Sequence, residues 1–148
     1  MHIAPSLLLA LVSLVACGGS SPPAAPQTGL ADPNVRSQLR SLALQASSGA
    51  GVPSPTAILA VSSPDHQAAE KVVSGDIVED HAPVYVVEVT GGVFTDNQAS
   101  GPPGAPPPQG SALTLTVNAQ TLQVVDFGIE PTAPDLAQIG SAVVNLTR

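Results

Sequence analysis

Apolar residues recur along this chain with two different periods, and the points where the period changes divide it into helices and strands. Val35, Leu39, Leu42 and Ala43 recur at spacings of four, three and one, with Arg36, Gln38 and Arg40 between them. That stripe predicts an amphipathic helix over 33–47. Asp32-Pro33 supplies an N-cap followed by proline at the first helical position, and Ser47-Ser48-Gly49-Ala50-Gly51 ends the helix. Thr56 to Val61 is a short apolar run between Pro55 and Ser62-Ser63, the signature of a buried strand. Ser63-Pro64-Asp65 repeats the cap-then-proline signal ahead of Ala68, Ala69, Val72 and Val73. This second, shorter helix stops at Ser74-Gly75, where glycine suits the left-handed cap.

Beyond residue 82 the period falls to two. From Pro83 to Thr90, Tyr85, Val87 and Val89 share one face while Val84, Val86 and Glu88 share the other. Gly91-Gly92 interrupts this strand and Val93-Phe94-Thr95 resumes it. Residues 96–110 form a Pro/Gly-rich loop, stiffened by Pro106-Pro107-Pro108. Leu113, Leu115 and Val117 alternate with Thr114 and Thr116, the pattern of a half-buried strand. Asn118 to Thr121 reads as a turn, and Leu122 to Ile129 as the return strand with Val125, Phe127 and Ile129 on one face. Pro134 to Gly140 predicts a final short helix. The expected fold over 33–148 is α+β: two helices packed on one face of a small antiparallel sheet, with a β-meander in the C-terminal half.

The first sixteen residues follow neither period. Leu7 to Ala16 is almost wholly apolar and too short to span a bilayer. It ends in Leu14-Val15-Ala16-Cys17, which resembles the lipobox of bacterial lipoproteins. The resemblance implies a signal peptide over 1–16, cut before Cys17, whose thiol then carries a diacylglyceryl group. The leader departs from the pattern at Met1-His2, which carries no Lys or Arg. Cys17 is the only cysteine, so it has no partner for an intramolecular disulfide, and lipidation would consume an otherwise reactive thiol. Residues 17–32 read as a disordered linker, in which 18–32 are rich in Gly, Ser, Pro and Ala and would span about 45 Å if extended like polyproline. The expected location is the cell envelope, lipid-anchored on the extracytoplasmic side. Gly18 lacks the aspartate of inner-membrane retention, which selects the outer membrane where a cell has one.

Charge narrows the partners. Lys and Arg total 4 against 11 Asp and Glu, a net charge of −7, so the basic footprint that nucleic acid requires is missing. Tyr85, Phe94 and Phe127 are the only aromatic residues, too few for base-stacking platforms.

A second resemblance lies within the folded part. A helix ending near Val73, the strand Val84-Tyr85-Val86-Val87-Glu88-Val89, and the run Leu115 to Val125 resemble a PepSY domain across residues 66–129. In that family a helix precedes an antiparallel meander, with a V-Y-x-V-E-V strand and a V-D-A-x-T-G-x-V hairpin. Here Asn118 stands at the usual Asp and Leu122 at the usual Gly, although leucine disfavours positive φ. The resemblance implies a small non-enzymatic module for binding or inhibition outside the cytoplasm.

Candidate chemistry is sparse. Asp76, Glu79, Asp80 and His81 gather between the second helix and the next strand and offer hard ligands for a divalent cation. They lack the alternating rhythm of a calcium loop, and Ile77-Val78 are expected to insert into the core and turn the acids outward, leaving a solvated loop. His66 and Glu70, four apart, share a helix face, with His81 and Asp76 as further zinc ligands only if the loop folds back; otherwise they form an exposed pair. No Gly-x-Ser-x-Gly elbow or phosphate loop occurs, and nothing sets Asp126 and Glu130 as an opposed pair. No catalytic residue, resident metal or cofactor is therefore assigned. The expected function is a non-catalytic interaction or inhibitor module that meets the membrane through its lipid and an unknown envelope protein through its domain. The alternative is a solute- or divalent-metal-binding lipoprotein.

Overall fold

The structure, a computed structural model, describes residues 29–99, 102 and 104–148. The leader, Cys17 and the linker as far as residue 28 lie outside the described residues. Helix α1, Pro33–Gly49, starts where its cap predicts: Asp32 is extended and its carboxylate accepts the Asn34 N–H at 2.7 Å. Leu30, expected in the linker, sits instead in a 3-10 turn, Gly29–Ala31, and is buried in the core. The folded part therefore reaches back to Gly29. Helix α2, His66–Val73, is capped by Asp65 and closed by Gly75 at φ +81, whose N–H reaches the Glu70 carbonyl.

The strands are β1 (Ala57–Ser63), β2 (Val84–Thr95), β3 (Gln109–Asn118), β4 (Val124–Glu130) and β5 (Val144–Asn145). They form one antiparallel sheet in the order β4-β3-β2-β1-β5, of which β2-β3-β4 is the meander. Gly91-Gly92 does not end β2 but bends it, shifting its register against β3 between Thr90 and Phe94. Gly91 has φ +104, and any Cβ there would collide with Thr56. At the β3–β4 turn, Asn118 Oδ1 accepts the Gln120 and Thr121 N–H groups, and Leu122 adopts a positive φ of 55, a left-handed conformation that leucine seldom takes.

The helices do not share a face, contrary to expectation. Leu39 and Ala43 of α1 pack on Tyr85, Val87, Val89, Leu113, Leu115 and Val117. Ala69 of α2 packs on Val61, Val84 and Val86, the opposite set of alternating positions. The reason lies in β2, whose residues 84–89 are buried on both faces, so each needs a cover. After β4 the chain crosses the α2 side, where Leu136 joins Val61 and Val84. The final helix expected over 134–140 shortens to a 3-10 turn, Leu136–Gln138. Gly140 then passes so close to the Ser62 carbonyl that a Cβ would lie 2.6 Å from its oxygen. This crossing delivers β5 to the outer edge of β1, a strand the sequence pattern does not announce.

Candidate functional site

Helical spacing places His66, Ala69, Glu70 and Val73 on one stripe, so the two polar residues ride on the face that α2 turns to the sheet. Both are buried: the side chains of His66 and Glu70 are 8% and 1% exposed. The expectation of an exposed pair is thus overturned. The connector after α2 folds back over the start of the helix, as its carbonyls at Ala82 and Asp80 accept the His66 and Gln67 N–H groups. Asp80 faces solvent as expected, yet its carboxylate also lies 3.0 Å from His66 Nδ1. That bond from His66 holds the Asp80 carboxyl below its ordinary value. An ionised carboxylate only accepts, so the shared proton sits on Nδ1.

On the other side of the ring, Nε2 lies 3.4 Å from Glu70 Oε1 and is the buried side-chain polar atom without a hydrogen-bond partner among the described residues. Glu70 Oε1 also accepts the Thr116 hydroxyl of β3 at 2.5 Å, and Ser74 Oγ reaches Oε2 at 3.4 Å. Asp80, His66, Glu70 and Thr116 thus form a polar line from connector to sheet. Its carboxylates flank the imidazole on opposite nitrogens, so they cannot converge on one cation. Among the described residues, no group of three or more His, Cys, Asp and Glu is arranged to hold a metal ion.

The 76–81 loop divides the remaining candidates. Asp76 and Glu79 are exposed, and His81 Nδ1 pairs instead with Asp65 Oδ1 at 3.1 Å. Partial desolvation raises the Asp65 carboxyl, but the His81 contact and the Ala68 N–H outweigh it and leave a net lowering. Ile77 does not enter the core; it is 86% exposed, because α2 and Leu136 already fill that side of the sheet.

Glu88 is the second buried carboxylate on the α2 side, in register with Leu59 on β1 and Thr114 on β3. Burial pushes its carboxyl above the ordinary glutamate value. The sign follows: as pH rises through the ordinary range the unfolded chain ionises first, so the folded state loses relative stability up to the raised value. Glu88→Gln should therefore raise Tm at about pH 7, with the gain shrinking by about pH 4. Thermal unfolding at both values checks this, and an equal gain at each would remove burial as the cause.

The two edges of the sheet differ. At β1, β5 adds a pair, Leu146 N–H reaches the Ile58 carbonyl, and Thr147 Oγ1 accepts the Ile58 N–H. At β4, no strand among the described residues pairs with the outer edge. Phe127 is in register with Leu115 and so shares the α1 face, whereas Asp126, Gly128 and Glu130 align with Thr116, Thr114 and Ala112 on the α2 face. Asp126 and Glu130 therefore lie on one face of the same strand, four residues apart with Gly128 between them, and do not oppose each other. Val124, Val125 and Phe127 are all more than 40% exposed. Phe127 also borders a cavity of about 480 Å³ whose walls include Ala46, Gly49 and Ala50 at the end of α1. One apolar face of this strand was legible in Phe127 and Ile129; the register shift that sets Val124 rather than Val125 opposite Val117, and the strand's position at an edge, were not. Comparison with protein families, with curated proteins and with solved structures finds no match to this chain.

Proposed function

We propose that this chain is a membrane-anchored, extracytoplasmic lipoprotein and a non-catalytic interaction module. Its lipid is carried on Cys17, and its partner is an extended polypeptide segment added to the outer edge of β4. The observation that carries the reading is that edge, apolar on one face, acidic on the other, and exposed beside a cavity. An added strand would set alternate side chains against Phe127 and the cavity, and the intervening ones beside Asp126 and Glu130. Basic residues suit those intervening places, so the partner segment alternates basic and apolar positions. A second copy fits worse, because it brings another net charge of −7 and the same edge acids. The PepSY-like reading of residues 66–129 belongs to the same proposal, supported by the order α2, β2, β3, β4.

Two measurements test the reading. Cys17→Ser should move the protein from the detergent phase to the aqueous phase, and unchanged partition would end the lipoprotein reading. A photo-crosslinking residue at Phe127, in the full chain within its native envelope, should capture a basic, extended segment that the same residue at Ile77 does not. Capture of a second copy, or equal capture from both positions, would overturn the β4 assignment.

A further inference from the structure

All three arginines of this chain, Arg36, Arg40 and Arg148, line one cleft of about 270 Å³, with Ser37, Asn145 and Leu146. The clustering is built by two separate parts of the fold. Arg36 and Arg40 stand one turn apart on the exposed side of α1. Arg148 comes from the far end of the chain, held there because β5 pairs with β1 and Leu146 is buried against the α1 core. Arg40 Nη2 reaches the Thr147 carbonyl at 3.5 Å, which ties the two parts loosely together.

Among the described residues, none of the three arginines forms an ion pair with a carboxylate, although acids outnumber bases 11 to 4. Like charges gathered at one cleft repel, and in a chain of net charge −7 they create a local inversion of its field. A bound anion would convert that repulsion into attraction. Guanidinium forks are planar, permanently charged and matched to tetrahedral oxyanions through paired N–H donors. Three forks offer more donors than the two oxygens of a carboxylate accept comfortably, whereas a phosphoryl group presents three or four. The Ser37 hydroxyl and the Asn145 amide add neutral donors at the same cleft.

We propose that this cleft binds an anionic phosphoryl group, either free phosphate or the headgroup of an anionic phospholipid. The inference is independent of the β4 edge. It fits a domain whose described chain enters through Gly29–Ala31, immediately before the helix that bears Arg36 and Arg40.

The arginine content supplies the readout, since the side-chain Nε–Hε NMR spectrum contains three signals from one chain. The full chain in non-ionic micelles is titrated with inorganic phosphate, and with sodium chloride at matched ionic strength. Separate micelles are doped with phosphatidylglycerol or with phosphatidylcholine. The expected result is that all three signals move along one saturating curve with phosphate or phosphatidylglycerol, and do not with chloride or phosphatidylcholine. A response to inorganic phosphate identifies the free ion as sufficient, and a response to phosphatidylglycerol alone identifies the lipid headgroup. Arg40→Gln, on an exposed helix position, should weaken the apparent affinity about tenfold and flatten the response of Arg36 and Arg148. Small, unsaturated shifts equal to those in chloride would mean screening only and would overturn the proposal. So would an Arg40→Gln variant that responds like the native chain.

Discussion

Leu115→Asp is expected to remove about 5 kcal/mol of folding free energy, enough to unfold most or all of a domain of this size. Leu115 is 1% exposed and lies in mid-sheet, between Val87 on β2 and Phe127 on β4, under the α1 cluster. A carboxylate there finds no cation, because the chain's arginines lie at the cleft formed by α1 and the C-terminal segment. It loses the leucine's dispersion contacts and is buried without a partner. By contrast, deleting 102–107 from the proline-rich loop should change stability by less than about 1 kcal/mol, since closure entropy varies slowly with loop length. That deletion spares the Asp96 N–H to Pro108 carbonyl bond, which closes the neck of the loop. Urea unfolding of both variants checks the pair, and a larger loss from the loop deletion would mean that the core lies elsewhere.

The second large effect is expected at His66. His66→Ala should cost about 3 kcal/mol, because it breaks a buried polar line in the middle and leaves Glu70 with hydroxyl partners alone. Asp80 loses the partner that holds its carboxyl low, so the connector from 74 to 83 loses a fastening to α2. His66→Gln, which keeps bulk and a donor, should cost less. Hydrogen exchange provides the specific readout: amides of 74–83 should exchange faster in His66→Ala by more than the loss of global stability explains, while those of β3 and β4 speed up only in proportion to that loss. An alanine variant as stable as the native chain would show that the line contributes nothing.

Much of this was legible before any coordinate. The stripe of α1, its Asp32-Pro33 start, the alternation of Leu113 to Val117 and the Asn118 turn each have a local physical cause, and each appears close to where that cause places it. Burial of His66 and Glu70 was also present in the spacing, since 66, 69, 70 and 73 fall on one helical stripe with Ala69 and Val73. What concealed it was residue type, because polar side chains so seldom occupy the inner face. Ile77 misled for the mirror-image reason: an apolar residue implies a core position only when the core has room for it.

By itself the sequence determined most of the local elements, the α+β class and the acidic balance, because periodicity, capping and composition act over a few residues. Only the tertiary structure decided that α1 and α2 cover opposite faces, that Asp80 meets His66, and that β5 closes one sheet edge while β4 stays open. It alone brought Arg148 beside Arg36 and Arg40, across more than a hundred residues of chain. Such juxtapositions follow from strand order and from the path of the chain after β4. Several paths satisfy the same local signals equally well, and only packing the whole chain at once selects among them.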